Sequence, residues 1–230
     1  MPTPLESRRL VAKELESVGL SFAFVGGCAV WVLVDRPDFT DLRPTEDVDV
    51  IIEVVTLGEL YELEEQLRAT GFQHDISEGA SICRWIIKGC RVDIMPIDSR
   101  ALGMNSQWFR EALESAQLIT LAGEVQARVI TPPLFLATKL TAFNDRGHSD
   151  LYGSRDIEDI VTVTDGRKSI VADVANSSAD VRKFIADGFS ALMQHPDFGE
   201  ALFGHLSAVF GARNRVEEVK QKFVDISGLK

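Results

Sequence analysis

Cysteine is scarce in this chain, basic charge is in deficit, and long apolar runs are missing. The three cysteines, Cys28, Cys83 and Cys90, are odd in number and show no CxxC spacing. That pattern argues against a disulfide framework and reads as reduced thiols of a cytoplasmic protein, with Cys83 and Cys90 as neighbours across a hairpin. His74, His148, His195 and His205 are scattered, without HxxH or a Cys/His cluster, which disfavours zinc. No GxxxxGK[ST] occurs, which disfavours an ordinary P-loop ATPase or GTPase, and Ser154 has no nucleophile elbow around it. No apolar run reaches the roughly 18 residues of a membrane span. The opening "MPTPLESRRLVAKELESVGL" lacks the apolar centre of a signal peptide and reads as a charged helix. The net charge of −11 bears on partners. A protein that grips nucleic acid by its phosphates wants a basic surface, so an RNA substrate here must meet a local basic patch, bind weakly or be delivered otherwise.

What is present is ordinary globular chemistry. The 230 residues are 45% hydrophobic and 26% charged, enough for one large or two small domains with a real core. Residues 4–18 carry helical spacing (Leu5, Leu10, Val11, Leu15, Val18) closed by Gly19. "SFAFV" reads as a short buried strand ending at Gly26-Gly27, and "CAVWVLV" as an apolar helix after it. "RPDFTDLRPTE" is a loop and "DVDVIIEVV" a strand. "TLGELYELEEQLRATGF" is an amphipathic helix with Thr56 as N-cap and Gly71 as its stop. "ASICRWIIKGCRVDIMPI" predicts a hairpin turning at Lys88-Gly89, and "AQLITLAGEVQARVITP" a further strand pair around Ala122-Gly123. From Pro132 onward every segment reads helical. The expected organisation is a mixed α/β part over 1–130 and a helical part over 131–230. Trp31, Trp85 and Trp108 are expected in core or edge packing, and Phe184, Phe189, Phe198, Phe203 and Phe210 in the core of the helical part.

One stretch is odd for a strand. Asp is depleted in strands, yet Asp47 and Asp49 project from one face of "DVDVII". A third carboxylate, Asp93, lies on the polar face of the alternating "CRVDIMPI". A two-residue loop at Lys88-Gly89 would set Arg84 opposite Asp93 as a cross-strand ion pair, which leaves Asp47 and Asp49 unexplained. Like charges so close are stable when protonated or when they hold cations. Oxygen ligands without His or Cys favour a hard ion, Mg²⁺ or Mn²⁺, suited to phosphoryl chemistry. The Gly26-Gly27 turn supplies the complement, a side-chain-free backbone at a helix N-terminus that can approach a phosphate. Lys139, Phe143 and Arg146 share a helix face at i, i+4, i+7. Two cations there either flank a triphosphate or are simply solvated. Asp156 sits near a helix start, where the macrodipole favours it in any case.

With its order of strand, Gly-Gly, helix, loop and DxD strand, "VGGCAVWVLV…RPTEDVDVII" with "RVDIMPI" resembles the signature of the polymerase-beta-like nucleotidyltransferase superfamily. "GG-x-A…R-x-T-x-D-h-D" is most similar to the AbiEii-type nucleotidyltransferase toxins, and "PPLFLATKLTAFNDRG…SRDIEDI" resembles that group's later Lys/Arg-bearing and Asp-rich helices. The resemblance spans about residues 22–162 and implies an α+β nucleotidyltransferase fold, a small mixed sheet flanked by helices, with a C-terminal helical bundle. It implies Gly26 and Gly27 as phosphate-contacting backbone, Asp47 and Asp49 as metal ligands, and Asp93 as third ligand or general base. Lys139, with Arg146, would contact the triphosphate and Asp156 would support the site. The activity implied is Mg²⁺-dependent transfer of a nucleoside monophosphate from an NTP to an acceptor hydroxyl, the tRNA 3′ end or a protein, by the toxin of a toxin–antitoxin pair with an antitoxin partner. Aminoglycoside-modifying enzymes carry a close "GG…R-x-x-D-h-D", and an acidic chain suits a cationic small-molecule acceptor better than RNA. A catalytically lapsed nucleotide-binding domain is the reading from another class. The stretch from Gly27 to Asp47 is longer than usual, and its extra residues 35–42 read as a loop over the site.

Overall fold

The structure is a computed structural model, and it describes residues 4–35, 45, 47–99, 102–121, 125–147, 150–206 and 212–229. The chain divides into two compact units, residues 1–29 with 44–131, and residues 30–43 with 132–230.

The first unit is built on a mixed sheet. Its strands are β1 (Phe22–Val25), β2 (Asp47–Ile52), β3 (Gln73–His74), β4 (Arg84–Ile87), β5 (Cys90–Pro96), β6 (Gln117–Thr120) and β7 (Gln126–Val129). They lie in the order β3-β4-β5-β2-β1-β7-β6. β2 is central, antiparallel to β1 and parallel to β5. Helices α1 (Pro4–Glu16), α3 (Leu57–Ala69) and α4 (Phe109–Glu114) accompany the sheet. The sequence DVDVII divides β2 in two. Val50, Ile51 and Ile52 are fully buried, as befits a strand covered on both faces, while Asp47 and Asp49 keep one face of its first half partly open to solvent.

Local signals account for the connections. Lys88 and Gly89 both adopt positive φ, 47° and 81°, the backbone of a two-residue hairpin turn that follows the strands' twist. The register from Ile87↔Cys90 to Arg84↔Asp93 follows from that turn. Cys83 and Cys90 are therefore not neighbours: Cys90 faces Ile87, and the Cys83 carbonyl accepts from the Ile94 amide at 2.9 Å. All three cysteines are free and buried. α3 starts with a full capping box, in which Thr56 Oγ1 accepts from the Glu59 amide while Glu59 Oε2 accepts from the Val55 and Thr56 amides at 2.8 and 3.0 Å.

α2 (Gly26–Leu33) carries the chain from one unit into the other. The second unit is helical: α5 (Pro132–Asp145), α6 (Arg155–Gly166), α7 (Ile170–Ala175), α8 (Ala179–Gln194), α9 (Phe198–Leu206) and α10 (Ala212–Ser227). α5 is apolar nearly all round and lies buried. Phe189 and Phe223 pack with ring centroids 4.4 Å apart, and Phe198 adds a third ring 5.1 Å from Phe223. Phe203 departs from the expected core and is 47% exposed. Phe184 and Phe198 are half-buried, and Phe210 lies outside the described residues. Trp85 and Trp108 are buried as expected, whereas Trp31 is 44% exposed: six apolar residues and two glycines in eight leave one side chain that can face outward on a short helix. Among the described residues, no helix is long and apolar enough to cross a membrane.

Residues 30–35 belong to the helical unit through hydrogen bonds of both main chain and side chains. The Asp35 amide donates to Gly166 O at 3.0 Å, the Asp35 carboxylate accepts from the Lys168 amide at 2.7 Å, and Arg167 donates to Leu33 O at 3.1 Å. The rest of the 35–42 segment, read above as a loop over the site, lies outside the described residues.

Candidate active site

Strand pairing assembles three carboxylates. β2 and β5 run parallel with Asp49 beside Asp93, and Asp47 lies two residues earlier on the same face. Their carboxylate oxygens can all lie within 4.8 Å of one another, and all three residues are half-buried. Three oxygen donors at that spacing fit a hard divalent cation, whose charge would relieve their repulsion.

Arg84 closes one side of the cluster. Its Nε and a terminal nitrogen donate to Asp93 at 2.8 and 2.7 Å, and the same nitrogen donates to Asp47 at 3.0 Å. The bonds to Asp93, followed by the surrounding carboxylate charge, push the guanidinium further up from its ordinary value, so it is a permanent cation. A single positive charge thus spans two of three negative ones. The hairpin turn foreshadows the Arg84–Asp93 pair. The reach to Asp47 depends on β5 pairing with β2, which no local signal announces.

Gly26 forms the floor beside Asp49. The β1–β2 register sets Asp49 opposite Val25, one residue before the chain turns into α2. Gly26 makes that turn at φ +59°, and a Cβ there would lie 2.6 Å from Asp49 Cγ and overlap its Oδ2. Glycine is required twice, for the backbone angle and for the space the carboxylate fills. Gly27 follows in the first turn of α2, whose leading amide groups have no acceptors within the helix. Beneath them the Cys28 thiol donates to Val25 O at 3.0 Å and approaches Asp49 O at 3.6 Å. Burial first, then the charge of Asp49, pushes this thiol up to about 12, so it is protonated and unreactive at neutral pH. Arg8, on α1 and buried, donates to the Cys28 carbonyl at 2.8 Å and fixes this turn from behind.

The remaining expected residues form a second cluster, on α5 and α6. Lys139 donates to Asp156 at 3.2 Å and pairs with Asp159 at 2.6 Å, while Arg146 pairs closely with the other Asp156 oxygen. Asp156 and Asp159 are buried; Arg146 is largely exposed. The i, i+3 spacing of the two aspartates on α6 turns both inward, so the solvated-face alternative for Lys139 does not hold. Ser154 caps α6 by accepting from the Ile157 amide. The other end of α6 is tied down by Lys222, which donates to the carbonyls of Thr164, Asp165 and Arg167 at 2.7, 3.1 and 3.0 Å. Asp47, Asp49, Asp93 and Gly26 thus gather in the first unit, and Lys139, Arg146 and Asp156 gather in the second. Sequence reasoning had given no role to Asp159, and had seen only half of that of Arg84.

No protein-family model and no curated protein sequence matches the chain. Solved structures do. An antigenic nucleotidyltransferase-like protein from Paracoccidioides brasiliensis is similar at a TM-score of 0.51 with 22% identity, over 87% of this chain and 92% of that one. The antibiotic-resistance factor ANT(2'')-Ia is similar at 0.45 with 16% identity, over 83% and 94%. JHP933 from Helicobacter pylori is similar at 0.48 with 12% identity, over 96% and 89%. At such identities the likeness is one of fold, and the first of the three carries it. The mixed sheet with flanking helices, read together with that likeness, is a nucleotidyltransferase-like fold.

Proposed function

We propose that the chain is a Mg²⁺- or Mn²⁺-dependent nucleotidyltransferase. The observation that carries this reading is the convergence of Asp47, Asp49 and Asp93 beside the glycine turn that opens α2. Asp47, Asp49 and Asp93 would hold the cation, which when bound supplies charge neutralisation at the phosphates. The amides at Gly26 and Gly27 face the same chemistry from the helix terminus, where an anion is favoured. Asp93 would serve as third ligand or as general base, with Arg84 holding both of its oxygens in place. The acceptor oxygen would bond to the α-phosphorus as the bond to the β-phosphate oxygen breaks, the hydroxyl proton passes to solvent or a carboxylate, and pyrophosphate leaves. Positioning and electrostatics supply most of the rate in such transfers. A contact of Lys139 and Arg146 with triphosphate, supported by Asp156, rests on the motif resemblance alone.

The acceptor is open to direct test. A net charge of −11 favours a cationic small molecule, while a tRNA 3′ end or a protein hydroxyl, with a toxin role and an antitoxin partner, follows from the motif resemblance. The protein is incubated with Mg²⁺ and each α-labelled NTP, with total tRNA, with aminoglycosides, or with no added acceptor. Label transferred to one acceptor and lost in Asp49→Ala supports the proposal and names the acceptor class. A folded protein that transfers no label from any NTP to any acceptor sinks it.

A further inference from the structure

At the far end of β2 and β5 from the carboxylates, the first unit holds an open groove of about 440 Å³ that the transferase reading does not use. Val54, Leu60 and Pro96 contribute apolar walls, and Val55, Leu57 and Asp98 also line it. The apolar surface continues outward. Val55 is 42% exposed, Leu57 57%, and Tyr61, one turn beyond Leu57 on α3, 65%. Three large exposed apolar side chains within seven residues are a cluster, whereas single ones scattered over a surface need no explanation.

The rim is already in place. The capping box of Thr56 and Glu59 fixes the entry to α3, the Ile97 amide donates to Ile52 O at 3.0 Å, and the Asp98 amide donates to Val54 O at 3.4 Å. A partner would therefore meet a site with little ordering left to do. The strand-to-helix segment that bears it carries charge of one sign. Between Arg43 and Arg68 the sequence holds eight carboxylates and no Lys or Arg. Of these, Glu53, Glu59 and Glu62 are exposed on the segment that bears the groove. Backbone hydrogen bonds from Val55 and Thr56 hold the Glu59 carboxyl below its ordinary value, so it stays charged at neutral pH.

We propose that this groove docks a cationic amphipathic segment of a partner protein, with apolar side chains seated against Leu57, Leu60 and Pro96 and Lys or Arg side chains meeting Glu53, Glu59 and Glu62. Apolar anchors give such an interface its affinity, and complementary charge gives it on-rate and choice of partner. A nucleic acid is disfavoured by the same carboxylates.

The test uses the full chain and three synthetic 14-residue peptides of helical period. One carries Leu on one face and Lys on the other, one replaces Lys by Glu, and one keeps Lys but replaces Leu by Ser. Binding is read by fluorescence anisotropy and by amide chemical-shift changes, against wild type, Leu57→Ser and Tyr61→Ser. Both positions are solvent-facing, and a thermal melt establishes that each variant is folded. The expected result is saturable binding of the Leu/Lys peptide, with shifts confined to residues 54–62 and 96–98, and at least about tenfold weaker binding for either variant or either altered peptide. Unchanged binding by both variants overturns the proposal. So does equal binding of the Lys/Ser peptide, which would be charge attraction alone, and so does a dilution-dependent shift of these same amides without peptide, which would make the occupant a second copy of the chain.

Discussion

The two charged clusters look alike in sequence, an Asp-x-Asp on β2 and an Asp-x-x-Asp on α6, yet their charge differs in kind. On β2 and β5 three half-buried carboxylates meet Arg84, which bonds two of them. On α5 and α6 two buried carboxylates meet two cations, Lys139 and Arg146. The first arrangement gathers three oxygen donors at a spacing that fits a divalent cation. The second pairs two buried carboxylates with Lys139 and Arg146 in a network that joins α5 and α6. Proximity of acids alone does not mark a metal site; half-burial in the first cluster and near-complete burial in the second separate the two cases.

That contrast can be broken by substitution. Asp49→Asn removes a like charge and should leave the urea midpoint unchanged or slightly raised, while nucleotidyl transfer falls at least about 100-fold. A parallel fall in stability would mean that Asp49 is a structural residue. Lys139→Met should do the reverse at the level of folding, lowering unfolding free energy by about 3 kcal/mol because two buried carboxylates lose their shared cation. Arg146→Met, at a side chain 70% exposed, should cost under about 1 kcal/mol by the same denaturant measurement. If the two substitutions cost the same, the α5–α6 cluster is not organised around Lys139.

Gly26→Ala sharpens the comparison further. A Cβ at φ +59° carries a backbone cost of about 1–2 kcal/mol and must displace Asp49. Gly89→Ala, at φ +81° with nothing within 4 Å, carries the backbone cost alone. Thermal melts should therefore show Gly26→Ala as the more destabilised, and cation binding should be lost only there. The smallest effect concerns the thiols. With Cys28 pushed up to about 12 and Cys83 to about 11, mainly by burial, neither should react with a thiolate-directed reagent at pH 8 until the chain unfolds. Because Cys28 ionises near its ordinary 9.0 when unfolded, the unfolded state holds fewer protons between pH 9 and 12, so this contribution to stability is lost as pH rises through that window. Cys28→Ser should flatten the slope of stability against pH there; an unchanged slope would show the thiol to be solvated.

How legible all this was depended on range. Lys88-Gly89 announces its turn by residue type, and once the turn is fixed Arg84 must face Asp93. Thr56 and Glu59 spell out the start of α3, and the helices after Pro132 follow their apolar period. The strand–glycine–helix order and the Asp-x-Asp spacing pointed to the carboxylate cluster, and the motif resemblance to its chemistry. Long-range pairing was not readable. The parallel register that brings Asp93 to Asp49 joins strands some forty residues apart, and the membership of residues 30–35 in the helical unit rests on hydrogen bonds of Asp35 to Gly166 and Lys168. Residue type alone also misplaced Trp31 and Phe203, since an apolar side chain can remain at the surface once the core is filled.

The central claim is that the carboxylates of Asp47, Asp49 and Asp93 converge to hold a divalent cation. Titration of the protein with Mn²⁺, followed by the electron paramagnetic resonance signal of the free ion, tests it without reference to any acceptor. The account predicts saturable Mn²⁺ binding that Mg²⁺ competes away and that Asp49→Asn abolishes while the fold is kept. Equal Mn²⁺ binding by wild type and Asp49→Asn, or none by either at millimolar ion, would contradict it.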